Sequence, residues 1–148
     1  MKPVRASRVL NATPAEVFAV LSDPSLQPAV IPCVLSAEVV GDPASGQGMR
    51  FRETRTMGKR EVTMEFEVTE WTAPRHLRIE CLEHGTLWDS SFDLAEHAGG
   101  TELVISMDAR AQSFLPRVLN PLMKPLFRRG LTEHLDALEA HFDGNANA

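Results

Sequence analysis

Glu53 and Arg55 are the pair of residues best placed for chemistry, because they stand two positions apart in a segment that alternates between apolar and polar residues. In a β-strand, such residues point to the same face with about 7 Å between their Cα atoms, so the two side chains can meet. A simple ion pair is the leading interpretation. The alternatives are that the pair orients the polar end of a ligand, or that Arg55 polarises a carbonyl while Glu53 moves a proton.

The five histidines are the other candidates for acid–base chemistry. His134 lies at the margin of a helical apolar stripe, where we expect a satisfied helix-edge side chain. Counting helical and strand rises puts it about 20 Å from Glu53, too far for an acid–base dyad. No HxxxH or HExxH spacing occurs, so no metal site is predicted. The remaining histidines are expected to be solvated at strand ends, in a turn and near a helix terminus: His76, His84, His97 and His141.

Length and composition favour one globular domain. The chain has 148 residues, of which 43% are hydrophobic, and a net charge of -5, so no overall cationic field would attract nucleic acid. Cys33 and Cys81 lack CxxC spacing and are predicted to be reduced thiols in the core. Because no apolar stretch has the length of a signal peptide or a membrane span, we expect a cytoplasmic domain over 1–143 and a disordered tail over 144–148.

The order of elements follows from capping signals and periodicity. Thr13–Glu16 combines an N-cap, a proline at the first helical position and a reciprocal glutamate, which predicts a helix over 14–22 after a strand over 4–12. A short helical or irregular piece is expected near 25–31. Alternation of period two then predicts six strands of an antiparallel meander at 33–41, 48–57, 60–71, 76–83, 86–95 and 100–110.

A helical stripe of apolar residues predicts one long helix over 115–142. Pro121 and Pro125 each remove a backbone donor, so they should bend or segment this helix near its start. Before it, three hairpin turns give a consistent inner face of the sheet. The turns are expected at Gly58–Lys59, His84–Gly85 and 96–100, and they pair Met57 with Arg60, Glu83 with Thr86, and Leu94 with Thr101.

This pattern resembles the START/Bet v1-like group, especially the bacterial polyketide cyclase/dehydrase and lipid-transport (SRPBCC) domains. The resemblance rests on Thr13–Asp23, the strand opening Gly48–Phe51, Gly99–Thr101 before the last strand, and Leu131–Leu138. It implies an α+β helix-grip fold, in which a curved sheet of seven antiparallel strands wraps around a long C-terminal helix, with two short helices after the first strand. It also implies an elongated cavity between sheet and helix for an apolar or amphipathic small molecule.

The leading functional hypothesis is a binding or carrier domain for a fatty acyl chain, an isoprenoid or a polyketide, with no cofactor. Glu53 and Arg55 would hold the polar end of the ligand near the rim. Gly130 interrupts the apolar stripe of the helix, which indicates either room for a ligand or a close contact between helix and sheet. The expected lining residues are Phe51, Glu53, Arg55, Met64, Phe66, Ile79, Cys81, Trp88, Ser90, Met107, Leu122, Leu126 and Gly130.

Two other functions stay open. One is a cyclase or dehydratase that uses Arg55 and Glu53, which requires an unpaired Glu53 in the empty protein. The other is a protein-interaction module with a filled interior. A basic stripe on the long helix, formed by Arg117, Lys124 and Arg128, is either a solvated face or a transient contact with anionic lipid headgroups. The oligomeric state does not follow from the sequence.

Overall fold

A single curved antiparallel sheet forms one side of the protein in a computed structural model that describes residues 2–146. The strand order across the sheet is β1-β7-β6-β5-β4-β3-β2, so β1 and β2 are the edges and β7 joins β1 to the meander. The strands are β1 Val4–Leu10, β2 Val34–Val40, β3 Arg50–Met57, β4 Arg60–Thr72, β5 His76–Glu83, β6 Thr86–His97 and β7 Gly100–Ala111. The helices are α1 Pro14–Leu21, α2 Gln27–Val30, α3 Phe114–Leu122 and α4 Lys124–Ala146, with a 3-10 turn at Pro24–Leu26.

The capping signal before α1 acts as the sequence predicts. The backbone N–H of Glu16 donates to Thr13 Oγ1 at 3.2 Å, and the Glu16 carboxylate accepts from the backbone N–H of Thr13. This reciprocal arrangement satisfies donors that a helix N-terminus otherwise leaves unpaired. It fixes the point at which the chain turns from β1 into the two short helical segments.

Two of the three predicted hairpins have the expected register. Met57 pairs with Arg60, and Glu83 pairs with Thr86. The third prediction is wrong by two residues, because Leu94 pairs with Leu103 instead of Thr101. The reason is a two-residue turn at Ala98–Gly99, where both residues have positive φ (45° and 83°), as a tight type I′ hairpin requires. A shift of two residues keeps every side chain on its predicted face.

The predicted C-terminal helix is segmented into α3 and α4 at Met123. Pro125 has no N–H to donate to the carbonyl of Pro121, and the Met123 N–H donates to both Leu119 and Asn120 at 3.2 and 3.1 Å. α4 continues to Ala146, so residues 144–146 of the predicted disordered tail are helical. Residues 147–148 of that tail lie outside the described part of the chain.

α4 lies closest to the β1 edge of the sheet. Its backbone approaches β1, α2 and α3 more closely than the middle strands. Arg8 on β1 bridges to Asp136 at 2.9 Å and to Glu139 at 3.4 Å, which ties the two elements together. Below α4, its buried apolar residues form the core with inward-facing side chains of the sheet: Leu131, Leu135, Leu138 and Phe142 from the helix, and Leu77, Phe92, Leu94, Leu103 and Ile105 from the strands.

Candidate functional site

The inner face of the sheet has a packed half and an open half. In the packed half, Leu77, Leu103 and Ile105 are almost fully buried beneath α4. The open half lies toward the Gly58–Lys59 and His84–Gly85 turns, where most inward-facing side chains are partly exposed, although those of Glu53, Cys81 and Thr86 are buried. We call this open half the inner groove, and its half-buried members are Arg55, Met64, Phe66, Ile79, Trp88, Ser90 and Met107.

Glu53 and Arg55 form an ion pair at the β3 side of the inner groove. Arg55 Nε donates to Glu53 Oε1 at 2.9 Å, and Arg55 Nη2 donates to the same oxygen. The side chain of Glu53 is 6% exposed, whereas that of Arg55 is 33% exposed. The two residues therefore meet as their spacing predicts, and the cationic partner reaches toward water while the carboxylate stays covered.

Aromatic rings flank the inner groove. Phe51 and Phe66 stack across β3 and β4 with their ring centroids 5.0 Å apart. On the other side, the ring of Phe127 from α4 meets Trp88 edge-on at 4.8 Å. Phe127 was not among the predicted lining residues, although it belongs to the apolar stripe of the C-terminal helix. Phe66, Trp88 and Phe127 are partly exposed, whereas Phe51 is buried, so the first three rings provide the accessible aromatic surface of the groove.

His134 on α4 differs from its sequence-based expectation. Its Nε2 atom is buried without a hydrogen-bond partner, so the side chain is not satisfied. Burial, together with the Arg55 charge, lowers the pKa of His134 to about 4, so the ring is neutral at pH 7. The expected separation of about 20 Å between His134 and Glu53 assumed one straight helix from residue 115, whereas α4 begins at Lys124.

Cys81 lies on β5 opposite Trp88 and is nearly fully buried. Burial, and to a smaller degree the charge of Glu83, raises the pKa of its thiol to about 11. The group therefore stays protonated and is a weak nucleophile. Cys81 and Cys33 are both free of disulfides. Among the residues described, no three His, Cys, Asp or Glu side chains converge in a way that could hold a metal ion.

Gly130 leaves open space on α4. A Cβ atom built there would meet no atom within 4 Å, apart from the neighbouring backbone of the helix itself. The alternative of a close contact between helix and sheet is therefore wrong. Gly130 is three residues after Phe127 and four before His134, which places all three on one side of the helix.

Leu122 and Leu126 were predicted to line the ligand cavity, but both side chains are exposed to solvent. Their exposed fractions are 73% and 56%, so neither covers the inner groove. α3 is attached instead by the buried Asn120, whose Nδ2 donates to Thr86 Oγ1 at 3.1 Å. The other large apolar side chains of this segment are exposed as well: Phe114, Leu115, Val118, Leu119 and Met123.

Two clefts lie at other places on the surface. One of about 340 Å³ separates α3 from the end of β7, between Asp108–Ala111 and residues such as Pro116 and Asn120. The other, of about 560 Å³, lies between the start of α1 and the end of α4, next to Phe142. Neither is lined by the residues of the inner groove.

The outer face of the sheet carries a separate charge network. The side chain of Asp89 is 5% exposed and accepts from Arg78 Nε at 2.8 Å and from Arg110 Nη2 at 2.7 Å. His76, expected to be solvated, instead contacts Asp93 at 2.7 Å and Glu70 at 3.1 Å. Burial lowers the pKa of His76, but the bonds to these two carboxylates outweigh it and raise the pKa above its usual value.

Solved structures share this architecture along nearly the whole chain. A protein from Thermus thermophilus matches with a TM-score of 0.78 and 21% identity, over 97% of this chain and 98% of that one. A START superfamily protein from Mycobacterium smegmatis gives 0.80 and 14%, over 97% and 99%. The di-domain ARO/CYC StfQ from the steffimycin biosynthetic pathway gives 0.80 and 11%, over 99% of this chain and 52% of that protein. At such identities the likeness shows the fold alone, which is the expected helix-grip fold.

Other comparisons complete the assignment. No curated protein matches the sequence. Among the described residues, no helix combines the length and the apolar character needed to cross a bilayer. A family model described as polyketide cyclase / dehydrase and lipid transport matches residues 1–143, in agreement with the resemblance seen in the sequence. The chain belongs to the polyketide cyclase/dehydrase and lipid transport family.

Proposed function

We propose that this protein binds and carries a hydrophobic or amphipathic small molecule in the inner groove. The observation that carries the proposal is the partly exposed apolar surface on the inner face of the sheet, beside an α4 helix that approaches the β1 edge more closely than the middle strands. Covering each 100 Å² of such surface contributes about 2.5 kcal/mol. Apolar contact would therefore supply the main driving force against the cost of association, and the family's description includes lipid transport.

The predicted lining residues divide into two groups in this proposal. Phe51, Phe66 and Trp88 provide aromatic walls, with Phe127 closing the side toward α4. The aliphatic and sulfur-containing floor comes from Met64, Ile79, Cys81 and Met107, with Ser90 among them. Glu53 and Arg55 stand at the polar end, and Gly130 leaves room on the helix side.

Ligand binding is tested by thermal stabilisation and fluorescence. Delipidated protein is titrated with an acyl, an isoprenoid and an aromatic polyketide-like probe, and we expect at least one class to raise Tm and change the emission of Trp88. Trp71 also emits, so a Trp71→Phe variant isolates the signal from the inner groove. Native mass spectrometry of freshly purified protein adds a search for a bound molecule. No response to any probe and no bound molecule would overturn the proposal.

We further propose that α3 contacts anionic lipid surfaces during transfer. Seven large apolar side chains between Phe114 and Leu126 are exposed, including Leu122 and Leu126. No acidic residue occurs from 109 to 132, whereas Arg117, Lys124 and Arg128 lie within this segment of an acidic chain. Each basic residue contributes about 1 kcal/mol near an anionic leaflet, and exposed apolar side chains add to it by insertion.

The membrane proposal is tested with sedimentation of lipid vesicles. We expect binding to vesicles of phosphatidylcholine mixed with phosphatidylglycerol, and weaker binding to phosphatidylcholine alone or at high salt. Leu122→Ser should reduce it, whereas the matched change Leu82→Ser, at an apolar residue of β5 with 65% exposure, should not. Equal binding to both vesicle types, or equal losses in both variants, would contradict a role for α3.

The enzymatic alternative receives less support from the geometry. A cyclase or dehydratase that moves a proton with Glu53 needs this carboxylate unpaired in the empty protein, but Glu53 is bonded to Arg55. The thiol of Cys81 stays protonated near neutral pH. The partly exposed side chains of the inner groove give less support to the interaction-module alternative, which requires a filled interior.

A further inference from the structure

The buried nitrogen of His134 is the least satisfied polar atom in the described part of the protein. Among the described residues, its Nε2 is the buried side-chain nitrogen or oxygen without a hydrogen-bond partner. Proteins pair nearly all such atoms, because a buried donor or acceptor without a partner loses its hydration and gains nothing in return. An exception of this kind calls for an explanation, such as an ordered water or a functional role.

His134 stands at the inner end of the groove. Its ring meets Phe92 of the packed half edge-on, with the centroids 6.1 Å apart. The charge of Arg55, a residue of the inner groove, contributes to the lowered pKa of His134. One turn before it, Gly130 leaves open space on the same side of the helix. The unpaired nitrogen therefore lies where the packed core gives way to the groove.

The charge that acts on His134, that of Arg55, is itself paired. Arg55 is compensated by Glu53, and the Cys81 thiol is uncharged. His134 is uncharged at neutral pH, because burial and Arg55 oppose its protonation. A carboxylate or phosphate would add an uncompensated negative charge close to Glu53, and an ammonium group would add a positive one close to Arg55. Uncharged oxygen groups avoid both penalties.

His134 Nε2 is the hydrogen-bonding group that remains for such an oxygen. It donates or accepts, depending on the tautomer of the neutral ring. Arg55 uses Nε and Nη2 for Glu53 in the described contacts.

We propose that His134 Nε2 forms a polar subsite at the inner end of the groove, which takes an uncharged hydroxyl or carbonyl oxygen of an otherwise apolar ligand. The inference rests on the proposed binding function and narrows it, because it favours alcohols, phenols and ketones over fatty acids and phosphorylated lipids. The apolar walls hold the body of the ligand, and the subsite sets its orientation.

The test uses three probes with one aromatic skeleton at pH 7: naphthalene, 2-naphthol and 2-naphthoate. We expect 2-naphthol to bind about tenfold more tightly than naphthalene, as one additional hydrogen bond at a buried site allows, and 2-naphthoate to bind most weakly. His134→Leu should reduce affinity for 2-naphthol about tenfold and leave naphthalene unchanged. His134→Gln, which retains a hydrogen-bonding group near Nε2, should restore part of the affinity.

A stability measurement separates this role from a structural one. Without ligand, His134→Leu should raise Tm, since it replaces an unpaired buried polar group by an apolar one of similar size. The subsite is refuted if naphthalene binds and 2-naphthol binds no more tightly, or if the variants bind 2-naphthol with the affinity of the wild type. In both cases the proposed binding of apolar ligands in the groove is unaffected. If 2-naphthoate binds most tightly, the assigned ligand class is wrong. If none of the three probes binds, and no acyl, isoprenoid or polyketide-like probe binds either, the proposed carrier function is wrong.

Discussion

Two covered polar groups on opposite sides of the sheet, Asp89 and His134, differ in whether the chain supplies a partner. On the outer face, Asp89 is almost fully covered, yet two arginines bond to it, and His76 lies between two carboxylates. On the inner side, the Nε2 atom of His134 is buried and has no hydrogen-bond partner among the described residues. Glu53, also on the inner side, is paired with Arg55, so the missing partner is a property of His134 and not of this whole face. A ligand oxygen from outside the chain would supply that partner.

The largest expected effect concerns the pH dependence contributed by His134. Its folded pKa of about 4 lies below the usual value of 6.5, so the unfolded state binds more protons between these values. Stability from this group is therefore fully present above pH 6.5 and is lost as pH falls toward 4, by up to about 3 kcal/mol. Chemical denaturation of the wild type and His134→Leu across this range isolates the contribution. Parallel pH profiles for the two proteins would show that His134 does not titrate in this way.

The next effect should come from the outer network. Asp89→Asn removes the negative charge shared by Arg78 and Arg110, and we expect the free energy of unfolding to fall by about 2 kcal/mol, since the two arginines remain partly solvated. Urea denaturation measures this. The affinity for 2-naphthol should not change, because Asp89 lies on the other face. Asp93→Asn, at a more exposed position, provides the control and should cost less.

A change at Gly130 should act on both properties of the inner side. Gly130→Ala should raise the free energy of unfolding by about 1 kcal/mol, because alanine is the better helix former and its Cβ meets no neighbour. Gly130→Leu should instead lower ligand affinity by occupying the open space. If Gly130→Ala destabilises the protein, then α4 packs more tightly there than the structure indicates.

The smallest effect should come from His76, and its sign is opposite to that of His134. Because the folded pKa of His76 is raised, its contribution to stability is fully present below pH 6.5 and is lost as pH rises through the folded pKa. His76→Gln should therefore cost more stability at pH 5.5 than at pH 8, as followed by urea midpoints. A cost that is the same at both values would mean that the two carboxylates hold the ring without its charge.

Local signals in the sequence account for most of the fold. The capping box at Thr13–Glu16 and the turns at Gly58–Lys59 and His84–Gly85 depend on neighbouring residues, and all three were predicted. The last hairpin was predicted with a register two residues off, because the tight turn needs a positive φ at Ala98, which an alanine does not indicate. The break at Met123 was predicted only as a bend or segmentation near the start of the helix, since two prolines mark a disturbance without setting its position.

The site was less accessible to sequence reasoning than the fold. The spacing of Glu53 and Arg55 was enough to predict their contact, because both lie on one strand. The isolation of His134 depends on what approaches it from other elements, and periodicity along α4 contains no information about that. The exposure of Leu122 and Leu126 depends likewise on where α3 lies relative to the sheet.

The hydrogen bond between Asn120 and Thr86 links the two proposed activities. Thr86 is the first residue of β6, and Trp88, which borders the inner groove, follows two residues later. The residue that holds α3 to the sheet is therefore next to the aromatic side of the groove. If a bilayer pulls α3 away from the sheet, the hydrogen bond between Asn120 and Thr86 breaks, and the packing around Trp88 loosens with it. Unloading of the cargo would then be triggered by arrival at the acceptor surface, with no separate signal required.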